Sequence, residues 1–289
     1  MGDRVLGLAV GANASVNDSA QGGFQEVTVL EEDYASRIPG EVSFEEACVV
    51  PLGLATAATA LFDKSQLGLE YPKSPASAPS GKQQKTVIVW GGSTSVGCNA
   101  IQLAVAAGYR VFTTSSPRNF DYLRSLGATQ AWDYNSPSVI NDIITAIGDS
   151  PCAGAVVIGD GGAESCTSIL AKIKGNKCIA LVSIPQPDPE PEFLTIPRTV
   201  YAMGLWFVGL KIRGLRAGVR SSFVDLTPIY TNGLAKYIFG EFLPKALEKG
   251  EFVPSPRPEV AGTGLAEIQR GLDTLRKGVS AKKVVISLP

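Results

Sequence analysis

Histidine is absent from the 289 residues of this chain. That absence excludes a Ser-His-Asp triad, an HExxH metal site and any imidazole general base, so the chemistry has to come from other groups or from a cofactor. Excess charge is missing as well. The 26 Lys and Arg stand against 27 Asp and Glu, a net charge of -1, which leaves no chain-wide field to hold a nucleic acid or an acidic membrane. A small-molecule substrate is expected, with neither nucleic acid nor membrane as partner. CxxC pairs are also lacking. Cys48, Cys98, Cys152, Cys166 and Cys178 are odd in number and scattered, with no histidine to complete a zinc site. They read as reduced, buried cysteines of an intracellular, cytoplasmic protein. No apolar run reaches the roughly 18 residues of a membrane span. Val5 to Val10, between Arg4 and Ala12-Asn13-Ala14, imitates a signal peptide, but the stretch is short and broken by Gly7, which favours a strand. The sequons at Asn13 and Asn17 matter only if that leader is real.

What is present is an ordinary globular composition, 45% hydrophobic and 18% charged. VLGLAV and FQEVTVL, within residues 1–30, read as two short strands of a sheet. Ser43 stands three residues before Glu46 as a capping box, opening an Ala/Leu-rich helical run that Pro51 and Gly53 divide into two helices. LEYPKSPASAPSGKQQK, Leu69 to Lys85, has the composition of an exposed loop. From Thr86 to about Gly209 short β-rich runs alternate with helices of about ten residues, the pattern of a doubly wound, parallel α/β sheet. The Pro-rich loop IPQPDPEPEF then leads to a hydrophobic strand around Leu205 to Leu210. A long helix from about Thr231 to Lys249, the helix LAEIQRGLDTLRKG and the strand KKVVISL complete the chain. That last strand is expected to return to the N-terminal sheet. This divides the chain into 1–60, 61–230 with 70–85 as an exposed loop, and 231–289, the first and last forming one discontinuous domain. No internal repeat is present.

VIVWGGSTSVGCNAIQLA puts Gly91, Gly92, Ser93, Thr94, Ser95, Val96 and Gly97 between the first strand of this series and its helix. A helix N-terminus presents unpaired amides and partial positive charge, so a tight glycine turn here suits a pyrophosphate. An NAD site would carry an acidic residue about 20 residues further on, to take the ribose hydroxyls. No Asp or Glu lies between Cys98 and Phe120. Instead the next strand ends Thr113-Thr114-Ser115-Ser116-Pro117-Arg118-Asn119, where Ser115, Ser116 and Arg118 offer hydroxyls and a guanidinium to a 2′-phosphate. NADPH is therefore favoured over NADH. A helix-capping Ser116 and a solvated Arg118 are compatible with that reading. Tyr134 reads either as a contact on the adenosine side or as a core-edge tyrosine.

WGGSTSVGCNAIQLAVAAGY, followed by TTSSPRNFDYLRSLGATQAWDYNSP, resembles the medium-chain dehydrogenase/reductase superfamily. Within it the chain is similar to the zinc-free quinone-reductase and enoyl-reductase branch, including fungal trans-enoyl reductases and zinc-binding-oxidoreductase-like proteins. GDRV at Gly2 to Val5, GGFQEV at Gly22 to Val27, PLGLATAATAL and the ending GLDTLRKGVSAKKVVISL extend the likeness over nearly the whole chain. The resemblance implies a Rossmann domain plus a GroES-like β domain. GDRV normally falls well inside the latter, so part of that domain is expected to be absent. It also implies hydride transfer from NADPH to the β-carbon of an enoyl, enone or quinone-like acceptor, in fungal secondary metabolism, with protonation from water, a tyrosine or a lysine. Thr94 and Ser95 replace the two inner glycines of the quinone-reductase pattern GASGGVG. Thr56 matches a threonine that stands near the nicotinamide in relatives, and it also reads as a packed helix threonine. Trp206, Phe207, Lys211 and Arg213 line either a substrate cleft, a dimer edge or a buried edge strand. A homodimer through the sheet is expected. The rival readings are a nucleotide-binding homologue repurposed as cyclase, isomerase or partner subunit, an inactive one, and a reading frame begun too late to have its own function.

Overall fold

The computed structural model describes residues 2–76, 84–183 and 195–289. The tip of the Leu69 to Lys85 loop and all of IPQPDPEPEF lie outside them. Strand β1 (Val5–Gly7) pairs antiparallel with β2 (Ala35–Arg37), Leu6 opposite Ser36. FQEVTVL is not a strand, contrary to its hydrophobic pattern. The Gln25 side-chain amide donates to the carbonyls of Ser19, Ala20 and Gly22 at 3.3, 3.1 and 2.8 Å, and the Thr28 hydroxyl donates to Gly22 O at 2.8 Å. These side chains close a local loop in place of a β-ladder, and Phe24 stands at φ 60°, outside strand geometry.

Helix α1 (Phe44–Ala47) begins with the expected box. Ser43 Oγ accepts from Glu46 N at 3.1 Å while Glu46 Oε2 accepts from Ser43 N at 3.0 Å. Pro51 opens α2 (Pro51–Phe62), at a position where its missing N–H has no helical partner to lose. The stretch Phe44–Phe62 has the length and apolarity to cross a membrane, yet it is mostly buried inside the fold.

The expected parallel sheet has six strands: β3 (Thr86–Trp90), β4 (Arg110–Ser115), β5 (Gln130–Asp133), β6 (Cys152–Val157), β7 (Cys178–Leu181) and β8 (Arg220–Phe223). Their order is β5-β4-β3-β6-β7-β8, all parallel. The crossovers carry α3 (Ser95–Ala106), α4 (Phe120–Ser125), α5 (Val139–Ile147), α6 (Gly162–Lys172) and α7 (Thr195–Ala217). Because helices cover both faces, the central strands are buried on both. Val87 and Val89 point into one core with Leu54, Leu61 and Ile101, and Ile88 and Trp90 into the other with Ile143, Ile169 and Leu210.

One expectation fails at the far edge of this sheet. Leu205 to Leu210 is not a strand but part of α7, whose Trp206 and Leu210, four residues apart, turn inward as a helix requires. The sixth strand is the polar RSSF of β8, which carries too little apolar alternation to announce itself. The long helix expected from Thr231 starts at Leu234. Lys236–Phe242 is π-helical and α8 (Leu243–Glu248) follows, the wider winding lying just before Pro244, which has no N–H to donate.

Strand β10 (Lys282–Ser287) pairs in parallel with β9 (Arg257–Thr263) across α9 (Ile268–Arg276), not with the N-terminal strands. The C-terminal segment still reaches the N-terminal third through side chains. Ser287 Oγ donates to Glu45 Oε1 at 2.6 Å, and Lys283 Nζ donates to Val49 O at 3.1 Å.

Candidate functional site

After Trp90 the chain reverses sharply into α3. Gly91 takes φ +86°, and a Cβ there would strike the Ile158 carbonyl. A Cβ at Gly97 would meet Gly91 O and the Gly92 backbone, so only glycine lets the helix start this close to the strand. Thr94 is the N-cap: its Oγ1 accepts from Gly97 N at 3.0 Å and donates to Gly91 O at 2.8 Å. Gly91 N donates to Thr114 Oγ1 at 3.1 Å and Gly92 N to Thr114 O at 2.9 Å, which ties the turn to β4. The Thr94 hydroxyl is thus engaged inside the turn. The helix offers an anion the amides of Ser95 and Val96, which have no intrahelical acceptor, with half-buried Ser93 beside them.

This turn stands where the sheet order reverses, β4 and β5 lying to one side of β3 and β6 to β8 to the other, which opens a crevice at the carboxyl ends of the strands. Across it Gly159, at φ +100°, donates its N–H to Ser183 Oγ at 2.7 Å. On the β4 side Ser115 is buried and its hydroxyl donates to Ser116 O at 2.9 Å. The Ser116 and Tyr134 hydroxyls are brought together at 3.0 Å from adjacent strand ends. Arg118 lies exposed on a 3-10 turn and forms no ion pair among the described residues. The first acid after this strand, Asp121, is paired with Arg124 at 2.8 Å.

Helix α2 packs on α3 at Gly53, where a Cβ would meet Ser95 Oγ at 2.7 Å and Asn99 Nδ2 at 2.8 Å. Thr56, one turn further along α2, is half-exposed and donates its hydroxyl to Leu52 O at 2.8 Å. Trp206, Phe207, Lys211 and Arg213 are not at this crevice's turn but on α7. Trp206 Nε1 donates to Glu164 Oε1 of α6 at 2.8 Å, and Lys211 Nζ donates to Ser221 O of β8 at 3.2 Å.

Two residues at the turn escape sequence reasoning. Asn99 is fully buried and bridges Ser95 O at 2.7 Å and Ser255 O at 3.2 Å, leaving its Oδ1 without a partner. Lys283 brings its Nζ within 3.5 Å of Ser95 Oγ. Burial pushes the Lys283 amine below the ordinary lysine range, and it forms no ion pair among the described residues. It faces a cavity of about 330 Å³ walled by Phe24, Cys48, Leu265, Leu272, Val284 and Ile286. A lysine beside another lysine in a terminal strand gives no local signal of this contact.

Glycine backbone at the approach point, free helix amides and a β4 end without a carboxylate together fit a nicotinamide dinucleotide. Among the described residues no group of three His, Cys, Asp or Glu side chains is placed to hold a metal ion. Of the cysteines, Cys98, Cys152, Cys166 and Cys178 are buried as expected, but Cys48 is exposed, because α1 ends at the surface there.

No family model matches the chain. It is 52% identical over 288 residues to the dehydrogenase pigH of Monascus ruber, a match covering 100% of this chain and 77% of that protein. It is 35% identical over 269 residues to the trans-enoyl reductase himH of Aspergillus japonicus, covering 92% of this chain and 69% of that one. Among solved structures it superposes on an alcohol dehydrogenase superfamily protein from Novosphingobium aromaticivorans with a TM-score of 0.66 at 21% identity, covering 100% of this chain and 76% of the other.

Proposed function

For a chain that belongs to the medium-chain dehydrogenase/reductase superfamily, and is thereby an oxidoreductase of that type, we propose NADPH-dependent, zinc-independent reduction of an enoyl, enone or quinone-like acceptor, free or carrier-bound, in fungal secondary metabolism. The observation that carries this reading is the Gly91 to Gly97 turn at the switch point, followed by a β4 end with hydroxyls in place of a carboxylate. The names of the relatives, a dehydrogenase and a trans-enoyl reductase, support the reaction class. When bound, NADPH supplies the hydride.

The chain's own groups bind, orient and shield. The amides of Ser95 and Val96 hold the diphosphate at the α3 N-terminus, with Gly91 letting the chain reverse against the Ile158 carbonyl and Thr94 keeping the turn in shape. Lys283, 3.5 Å from Ser95 Oγ and without a carboxylate partner among the described residues, adds a positive charge to the same place. Ser116, Tyr134 and Arg118 take the 2′-phosphate, Ser115 holding the Ser116 backbone. Thr56 orients the nicotinamide, the lone pairs left after its bond to Leu52 O being free to accept from the carboxamide N–H; to hold the acceptor carbonyl the hydroxyl would have to leave Leu52 O and donate instead. Zinc independence rests on the absence of histidine from the sequence.

The test is a fluorescence titration with NADPH and separately with NADH, followed by addition of a simple enone or quinone. NADPH binding tighter than NADH, with oxidation on acceptor addition, is the expected result. Binding without turnover transfers the case to a repurposed homologue, and no binding of either nucleotide sinks the assignment of the turn.

A further inference from the structure

Helix α7 presents two apolar faces although only one is covered. Its inner face is anchored: Leu210 is 3% exposed and Trp206 is bonded to Glu164. On the outer face Tyr201, Leu205, Val208, Ile212 and Leu215 recur every third or fourth residue, and they are 69, 56, 56, 45 and 83% exposed. At a rise of about 1.5 Å per residue this stripe runs for roughly 21 Å. Helical spacing places Lys211 along one border of it and Arg213 and Arg216 along the other. All three are exposed and none forms an ion pair among the described residues; the Lys211 amine is bonded to Ser221 O of β8 at 3.2 Å, so it meets a headgroup only by leaving that carbonyl. The helix contains not one Asp or Glu. In a chain whose net charge is -1, this is a local concentration of positive charge around apolar side chains.

We infer that the outer face of α7 is a docking surface for an anionic lipid membrane, the helix lying in the interface plane with its stripe in the acyl boundary and its basic borders at the headgroups. Amphipathic helices that bind membranes in this way carry a narrow apolar face edged by Lys and Arg, whose stems reach outward to the phosphates. The inner face stays on α6, so the helix rests on the membrane without crossing it. The charge pattern decides against a second copy of the chain as occupant. Two such helices face to face would oppose like charges with no carboxylate on either to offset them. The chain-wide charge balance, which gives no field at long range, does not bear on a face whose charges act within a Debye length of about 8–10 Å.

The test is flotation of the purified protein with vesicles of phosphatidylcholine alone and of phosphatidylcholine mixed with phosphatidylserine. Binding to the mixed vesicles only, reduced by added salt, is expected. Arg213→Gln with Arg216→Gln should lower it roughly twenty-five-fold, at about fivefold per basic residue, and Leu205→Glu with Leu215→Glu should abolish it. Circular dichroism and melting temperature should stay at the parent values, since these side chains are exposed. Failure to float with any vesicle overturns the inference. So does anionic binding that survives Leu205→Glu with Leu215→Glu, which would be a basic patch alone. A concentration-dependent dimer that Leu205→Glu dissolves, without vesicle binding, overturns it in favour of a second copy. None of these outcomes bears on NADPH binding, which is read separately.

Discussion

Lys283 is a buried-side amine with a carbonyl and a hydroxyl for company and, among the described residues, no carboxylate partner. Burial lowers its pKa, so between the folded value and the ordinary lysine value the unfolded chain binds the proton more tightly. Stability therefore rises with pH between the folded and the ordinary lysine value, and below the folded value the cost of the desolvated cation is fully present. Such a cost is retained where an anion is to be bound. Lys283→Met is accordingly expected to hold or raise the melting temperature at neutral pH while weakening NADPH about tenfold or more, the size of one charge-assisted hydrogen bond. Its melting temperature should lose the alkaline rise. Unchanged NADPH affinity would reduce Lys283 to a structural group.

At the scale of elements the site depends on how closely α2 approaches α3. Gly53 makes that approach possible, and its methyl-bearing variant sets two effects against each other. Ala gains about 1 kcal/mol in helix propensity over Gly. It also presses on Asn99, which cannot step aside because Ser95 O and Ser255 O hold it at 2.7 and 3.2 Å; overpacking of this kind costs about 1–3 kcal/mol. Gly53→Ala is thus expected to lose about 1 kcal/mol net in urea unfolding and to weaken NADPH, because displacement of α2 carries Thr56 away and disturbs the first turn of α3. A stabilised variant with intact binding would mean that the two helices are not in firm contact.

For the whole molecule, the two cores on either face of the sheet shield four of the five thiols. Burial pushes Cys98 up to about 12 and Cys152 up to about 11, and raises Cys166 as well, so the thiolates needed for reaction are scarce; burial raises Cys48 too, and its exposure is what sets it apart. Titration of the native protein with a thiol reagent should therefore register Cys48 first, the remaining four appearing only with unfolding. Rapid reaction of several thiols in native buffer would show that the sheet and its helices open far more readily than this packing permits.

The sequence by itself determined what depends on neighbours a few residues away. The βα alternation from Thr86 onward, the Ser43 to Glu46 box, the Pro51 helix start and the Gly91 to Gly97 turn were legible because side-chain period, capping and positive φ act within one or two turns of chain. The lack of a carboxylate before Phe120 was legible for the same reason. Tertiary structure alone decided the rest. Whether GLWFVGL became strand or helix depended on the core that Trp206 and Leu210 could reach, and FQEVTVL lost its strand to bonds from Gln25 and Thr28 that no hydrophobic pattern encodes. The partner of β10 and the placement of Lys283 beside Ser95, 188 residues away, were set by packing of distant segments. Such packing leaves no local trace, since many strands could pair with a given edge and only the assembled core selects one.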